Sequence, residues 1–315
     1  MRLIFFGTPE FAVPTLARLA AEHELAAVVS QPDRPSGRGR RVQASPVSAF
    51  AQGRGLALLR PERVGAPEVV AALRAAAADL GVVVAFGQFL PKSVRELPRL
   101  GYLINGHASV LPRHRGAAPI PRAILAGDVE TGISVMRVER EMDAGPVALV
   151  RTTPIAPDED AGALGDRLAR IAADAIAEAL AQIADGFDSW REQDPARATL
   201  APKIGSSELA IDWREPAPAI ALRVRAFAPE PGARTLLRGE PLRILAARSE
   251  PGAADRAPGT TRVGAGEPLR VATSDGWLIP ERVQRAGGNA LDIAAYLRGR
   301  PISDGEKLGA AERSH

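Results

Sequence analysis

The sequence predicts an α/β chain: a doubly wound sheet in the first half, then a smaller, mostly β domain. Three observations carry this. From Arg2 to Asp185, short apolar runs alternate with amphipathic stretches, the pattern of repeated strand–helix–strand units. The run DLGVVVAFG, Asp79–Gly87, is almost continuously apolar, as a parallel strand covered on both faces requires. After Ser206 the pattern changes to short strand-like runs separated by glycine-containing turns.

Taken in order, RLIFFG (Arg2–Gly7) reads as a buried first strand. A helix follows over Pro9–Glu22, with Phe11, Leu16 and Leu19 at helical spacing and Pro9 suited to a first turn. ELAAVVSQ is a second strand, and Ser45 followed by proline marks the N-terminus of the next helix. PEVVAALRAAAA is a third helix, GYLINGH a strand, AAPIPRAILAG a helix and TGISVMRVE a strand. Residues 158–185 form a long amphipathic helix. Beyond it, EPAPAIALRVRAF and ALDIAAYLRG are helical within an otherwise strand-rich region.

The totals suit this plan. A chain of 315 residues accommodates two domains, and 46% hydrophobic with 24% charged residues is ordinary for a globular protein. No stretch approaches the ~20 apolar residues of a membrane span, and Gly7, Thr8 and Pro9 break the first apolar run too early for a signal peptide. The absence of cysteine excludes disulfides, thiolate metal sites and cysteine nucleophiles, and fits a reducing compartment. The net charge is only +3, so any case for nucleic acid rests on clusters of charge. The 37 arginines against three lysines read first as the codon usage of a GC-rich genome.

Strand ends are where chemistry is expected, because ligands of doubly wound sheets bind beyond the carboxyl ends of the strands. FFGTPEF lacks G-x-G-x-x-G, and no P-loop motif occurs, so dinucleotide and P-loop chemistry are poorly supported. Gly7 is either a tight strand-to-helix turn or a helix start that offers backbone N–H groups to a ligand. LINGHASVLPRHRGAAP, Leu103–Pro119, holds two of the four histidines. Asn105 and His107 are two apart, so on a strand they share a face, and an amide beside an imidazole stabilises charge developing on a carbonyl oxygen. His114, between two arginines, reads as a surface or loop residue. Asp143, in REMDAGPV, is either a turn residue or a carboxylate that orients His107. SQPDRPSGRGRRVQASP, Ser30–Pro46, has no helical or strand period and places Arg34, Arg38, Arg40 and Arg41 within eight residues. It reads as a flexible basic loop, suited to phosphate contacts and without aromatics for base stacking.

FFGTPEFAVPTL, QPDRPSGRGR, VVVAFGQFLPKSV, NGHASVLPRHRGAAPI, GDVETGISVM and MDAGPV, continuing through KIGSSELAIDW, RAFAPEPGA and VATSDG, resemble the methionyl-tRNA formyltransferase family over nearly the whole chain. The resemblance implies a Rossmann-like formyltransferase domain over 1–188 with the basic loop at 32–45, a linker at 189–205, and a smaller β-rich, OB-like barrel domain over 206–315 that binds tRNA. It implies formyl transfer from 10-formyltetrahydrofolate to the α-amine of methionyl initiator tRNA, without a metal, by a cytoplasmic monomer. Carried over by motif, Asn105, His107 and Asp143 are the catalytic trio. Phe86, Gly87, Gln88, Phe89 and Leu90, with Ser109, Val110, Leu111 and Pro112, line the folate site. Arg38 meets the acceptor end of the tRNA, within the basic set of Arg34, Arg38, Arg40 and Arg41.

The alternative is a formyltransferase of the same folate acting on a small amine, such as an amino sugar-nucleotide or glycinamide ribonucleotide. A small acceptor explains neither the basic loop nor the β-rich domain. A third class, a non-catalytic RNA-binding protein on this scaffold, is opposed by the complete trio. The sequence also departs from the family pattern. Gly106 replaces a bulkier apolar residue and is expected to loosen the strand end. Val110 and His114 replace a leucine and an aromatic. Pro121 stands where a polar residue is usual, and RAFAPEP lacks the expected asparagine and tryptophan.

Overall fold

The computed structural model describes residues 1–36, 41–186, 189–264 and 266–310. The chain divides into two compact units. The first comprises Met1–Pro119, Glu130–Pro154 and Gly165–Ala201; the second comprises Ile120–Val129, Ile155–Leu164 and the chain from Pro202 onward.

In the first unit, β1 (Arg2–Gly7) leads through a 3₁₀ turn at Glu10–Ala12 into α1 (Val13–Glu22), then β2 (Glu24–Val29). The helix expected from Pro9 thus starts later, with Pro14 in its first turn. The basic segment is not without period: β3 (Arg34–Ser36) and β4 (Arg41–Gln43) pair antiparallel, although each is too short to show alternation in sequence. Its base is tied by Ser30 Oγ and Ser45 Oγ at 2.7 Å, and Ser45 accepts from Ser48 N as the cap of α2 (Pro46–Gly53). There follow β5 (Leu58–Leu59), α3 (Pro67–Ala75), β6 (Leu80–Val84), α4 (Lys92–Arg95), β7 (Leu103–His107) and then α5 (Pro119–Leu125), which from Ile120 belongs to the second unit. Pro121 lies in the early part of α5, where a missing N–H is tolerated. Then come β8 (Glu130–Arg137), β9 (Val147–Pro154) and α6 (Ala161–Ala184).

The sheet order is β5-β2-β1-β6-β7-β8-β9. The strands from β5 to β7 are parallel, but β8 and β9 run antiparallel to their neighbours, and β9 has no clear signature in the sequence. Strand order reverses between β1 and β6, which places the crevice at Gly7 and Val84. Ile4, Phe6, Val83 and Leu103 pack on one face of the sheet. By alternation Asn105 and His107 lie on that face of β7, while Gly106 faces α6. A Cβ on Gly106 would stand 2.8 Å from Cδ1 of the buried Ile176. The strand end is therefore not loosened, because Ile176 occupies the volume that a side chain at 106 would take.

Residues 189–201, expected within a linker, pack in the first unit. Arg191 bridges Val147, and the Arg137 guanidinium lies 4.3 Å from the ring centroids of both Tyr102 and Trp190.

In the second unit, α7 (Ala217–Phe227) precedes β10 (Ala233–Leu237) and β11 (Glu240–Pro251), and β12 (Thr261–Arg262), β13 (Arg270–Ala272), β14 (Gly276–Arg285) and β15 (Ala290–Asp292) follow. Then come α8 (Ile293–Gly299) and β16 (Leu308–Ala310). The sheet order is β12-β13-β14-β11-β10-β16, with β15 on β14. The outer strands meet: Thr261 N donates to Glu306 O and Leu308 N to Gly259 O, both at 2.8 Å. With the antiparallel bridge between Thr260 and Lys307, these bonds link the two ends of the strand order. In the divergent RAFAPEP segment, Ala228 is buried, and the exposed Glu230 pairs with Arg243 at 3.1 Å.

Gly106→Val will lower stability by about 1–3 kcal/mol through overpacking. In the Gly106→Val/Ile176→Ala double variant the two losses will sum to less than their separate values, as read from urea midpoints. Strict additivity would show that Ile176 does not fill this space.

Candidate active site

β6 and β7 are adjacent and parallel, with Val83 opposite Asn105, so the segments after both strands emerge side by side. Phe86 belongs to the core: its ring packs edge-on against Phe6 with centroids 5.6 Å apart. Its carbonyl accepts from Thr8 Oγ1 at 2.8 Å and Gln31 Nε2 at 3.0 Å, which ties the ends of β1, β2 and β6 together at the crevice. Gly87 has φ +81°, and an added Cβ would lie 2.3 Å from Gln31 Nε2, so only glycine fits there. Gln88 is committed to the scaffold, accepting from Val64 N and donating to Pro61 O, each at 2.9 Å. Leu90 is buried, whereas Phe89 is 69% exposed, an aromatic ring offered at the strand end.

β7 ends at His107, whose register partner on β8 is Ser134. Ser134 Oγ donates to Ser109 O at 2.8 Å and accepts from Leu111 N at 3.0 Å. Ser109 is fully buried, and its Oγ donates to Arg113 O at 2.6 Å. Leu111 packs with Met136 and Val147, while Val110 and Pro112 are partly exposed. The expected Ser109–Pro112 segment is therefore a tight return whose hydroxyls face backbone.

His107 is buried, and both ring nitrogens have neighbours. Nε2 lies 2.8 Å from His114 O; a carbonyl only accepts, so Nε2 carries a proton. Nδ1 faces Asp143 Oδ2 at 3.5 Å, and the same Oδ2 accepts from Gly116 N at 2.9 Å. Asp143 adopts φ +52°, a left-handed backbone uncommon for residues other than glycine, asparagine and aspartate. The connection between β8 and β9 thus returns a carboxylate to the end of β7. Asn105, partly exposed, shares the His107 face.

His114 lies in a turn, as expected of a loop residue, but it is buried and not on the surface. Its backbone carries the contact with His107, and its N donates to Thr199 Oγ1 at 2.9 Å. Neither that carbonyl nor Ser134 is recognisable in the sequence, since backbone groups leave no compositional signal and a lone strand serine is unremarkable. Arg34 is exposed on β3, and Arg41 lies on β4. Arg38 and Arg40 lie outside the described residues. Among the described residues no group of three or more His, Asp or Glu is placed to hold a metal ion, and no helix is long and apolar enough to cross a membrane.

An amide, an imidazole and a carboxylate thus lie near the end of β7, in a chain whose class is shown by two family models to be that of the formyl transferases. The family model described as formyl transferase matches residues 1–180, and that of the formyl transferase C-terminal domain matches 203–301. The chain is 46% identical over 314 residues to the methionyl-tRNA formyltransferase of Thiobacillus denitrificans, covering 98% of this chain and 100% of that protein. It is 47% identical over 309 residues to the enzyme of the same name from Halorhodospira halophila, covering 98% and 99%. It belongs to the methionyl-tRNA formyltransferase family. Among solved structures it shares its fold with HypX from Aquifex aeolicus in complex with tetrahydrofolic acid (TM-score 0.66, 18% identity), covering 99% of this chain and about half, 51%, of HypX. The N-formyltransferase of Helicobacter canadensis in complex with folinic acid and dTDP-3-aminofucose is also similar (TM-score 0.65, 16% identity), covering 90% of this chain and 98% of that one.

Ser134→Ala removes a bridge between two buried backbone groups and will destabilise the fold by about 1–3 kcal/mol. The Leu111 amide will exchange with solvent faster relative to the β1 amides; unchanged protection there would show that the hydroxyl does not hold the loop.

Proposed function

We propose that this enzyme transfers the formyl group of 10-formyltetrahydrofolate to the free α-amino group of methionyl initiator tRNA, with Asn105, His107 and Asp143 as the reacting groups. The supporting observation is the approach of His107 Nδ1 to Asp143 Oδ2 at 3.5 Å, with Asn105 on the same face of β7, in a chain similar over its length to methionyl-tRNA formyltransferases. The folate donor supplies an activated formyl carbon.

The residues divide the work as follows. The amine attacks as a free base, and negative charge develops on the formyl oxygen. Asn105 supplies a side-chain N–H toward that oxygen. His107 has Nε2 protonated and bonded to His114 O, which leaves Nδ1 as the nitrogen that takes the proton lost by the amine. The doubly protonated ring then satisfies the carbonyl on one side and Asp143 on the other. As the bond between the formyl carbon and N10 breaks, the same proton passes to N10, so one amine N–H is exchanged for one on the released folate.

Phe89, exposed beyond the end of β6, offers apolar contact for the flat donor. Gln88 is oriented by its bonds to Val64 N and Pro61 O, which leave one N–H and one lone pair for the donor. Arg34, Arg38, Arg40 and Arg41 supply phosphate contacts to the acceptor tRNA.

The function is tested by formylation assays that compare methionyl initiator tRNA, uncharged tRNA and amino sugar-nucleotides across a salt series. Transfer to the charged tRNA alone is expected, with a shallower salt slope for Arg38→Ala. Transfer to the small amine would overturn the tRNA assignment, and an unchanged slope would remove Arg38 as a phosphate contact. His107→Ala will lower kcat by about 10²–10⁴-fold with little change in KM for the tRNA. A KM effect with kcat preserved would place His107 in binding only.

A further inference from the structure

The loop that carries His114 and the turn that carries Asp143 are joined through a residue that belongs to neither. Gln193 is half-buried in the segment that runs beside both. Its Nε2 donates to Asp143 O at 2.9 Å and to Gly145 O at 2.7 Å. Its Oε1 accepts from Arg115 Nε at 3.0 Å and Nη2 at 2.9 Å. Two N–H groups and two lone pairs complete the capacity of a carboxamide, so this side chain is saturated. Its orientation is also settled by its partners: a guanidinium only donates and a carbonyl only accepts.

Both partners are themselves constrained. Arg115 is 8% exposed, and its backbone is held by Thr199 O at 2.8 Å and Ala201 N at 2.7 Å. Asp143 has a left-handed backbone, which aspartate tolerates and which its neighbours' hydrogen bonds hold in place. Gln193 supplies two such contacts, on the carbonyl of Asp143 and on that of the residue two positions later. Arg115 directly precedes Gly116, whose N–H meets Asp143 Oδ2. The same carboxylate is therefore approached from two sides, by the Gly116 amide and through the Gln193 clamp on its own backbone.

We infer that Gln193 is a positioning residue for formyl transfer, setting where the Asp143 carboxylate stands relative to His107. The inference rests on the reading of Asp143 and His107 as reacting groups. The chemistry also identifies the discriminating variant. Gln193→Glu keeps the length and keeps an acceptor for Arg115. It replaces both N–H donors by an oxygen facing two carbonyl oxygens, so the break falls on the Asp143 side alone. A residue that merely joined the segment to the domain would tolerate this exchange, because its bond to Arg115 gains charge.

The test is a double-mutant cycle on the full-length enzyme, with 10-formyltetrahydrofolate and methionyl initiator tRNA as substrates. The proteins compared are the wild type, Gln193→Glu, Asp143→Asn and the double variant, with thermal melts run on each. Gln193→Glu is expected to lower kcat by about tenfold or more, as sub-ångström to ångström misplacement does, with KM for the tRNA within about twofold. On the Asp143→Asn background it is expected to change kcat by less than about twofold. A wild-type kcat for Gln193→Glu, or a loss that persists in full on Asp143→Asn, overturns the positioning role. A wild-type kcat for Asp143→Asn overturns instead the assignment of Asp143 as a reacting group. If Gln193→Glu does not fold, Gln193→Met is taken through the same cycle, and failure of both to fold assigns Gln193 to stability alone.

Discussion

The hydrogen bond from His107 Nε2 to the carbonyl of His114 is the constraint on which the rest of the site depends. It engages Nε2 and leaves Nδ1 facing Asp143. To make it, the chain must leave β7, turn back within seven residues and present a carbonyl to the residue it has just left. The return is built from left-handed backbone at His114 (φ +57°) and Gly116 (φ +128°). It is held from outside by Ser134 on one flank and by Thr199 and Ala201 on the other. A buried imidazole beside a carboxylate would otherwise be free to rotate. Here one nitrogen is engaged, and the other faces Asp143.

The change of strand direction after β7 serves this arrangement. In a wholly parallel sheet, the next strand would begin at the opposite end, and a crossover would separate it from the His107 loop. An antiparallel β8 starts beside that loop, so Ser134 comes into register with His107 itself. The β8–β9 connection then carries Asp143 to the same ring. The site is thus made at a seam. Parallel strands supply the crevice and the exposed Phe89, and the antiparallel pair supplies the anchor and the carboxylate.

Much of this is legible in the sequence. The apolar continuity of β6, the cap at Ser45 and the shared face of Asn105 and His107 follow from composition and from a period of two. What stays hidden has common physical causes. Strand direction is not encoded in hydrophobic period, so nothing in the residues announces the antiparallel edge. Three-residue strands such as β3 and β4 are shorter than any pattern that could mark them. Residues 189–201 look like a linker because, apart from Trp190 and Ala201, they attach by hydrogen bonds of backbone and amide and show no apolar period. The motif assigns Gln88 to the ligand, yet its amide is committed to the 61–64 turn, since a polar side chain at a strand end serves whichever unsatisfied backbone lies nearest.

The departure at Gly106 shows how such a site tolerates change. A strand's two faces are independent: Asn105 and His107 point one way, and Gly106 between them points the other. Loss of a side chain at 106 therefore leaves a deficit on the α6 face only, and there Ile176 supplies the missing volume. Packing density is restored across the sheet without moving Asn105 or His107, whose positions are set by the ladder to β6 and β8. The same reasoning separates harmless from harmful divergence elsewhere in the loop. His114 meets His107 through its backbone carbonyl, so that contact is set by the φ at 114 and not by the identity of its side chain. A residue such as Gln193, whose four hydrogen bonds use both ends of one amide, has no isostere that would serve.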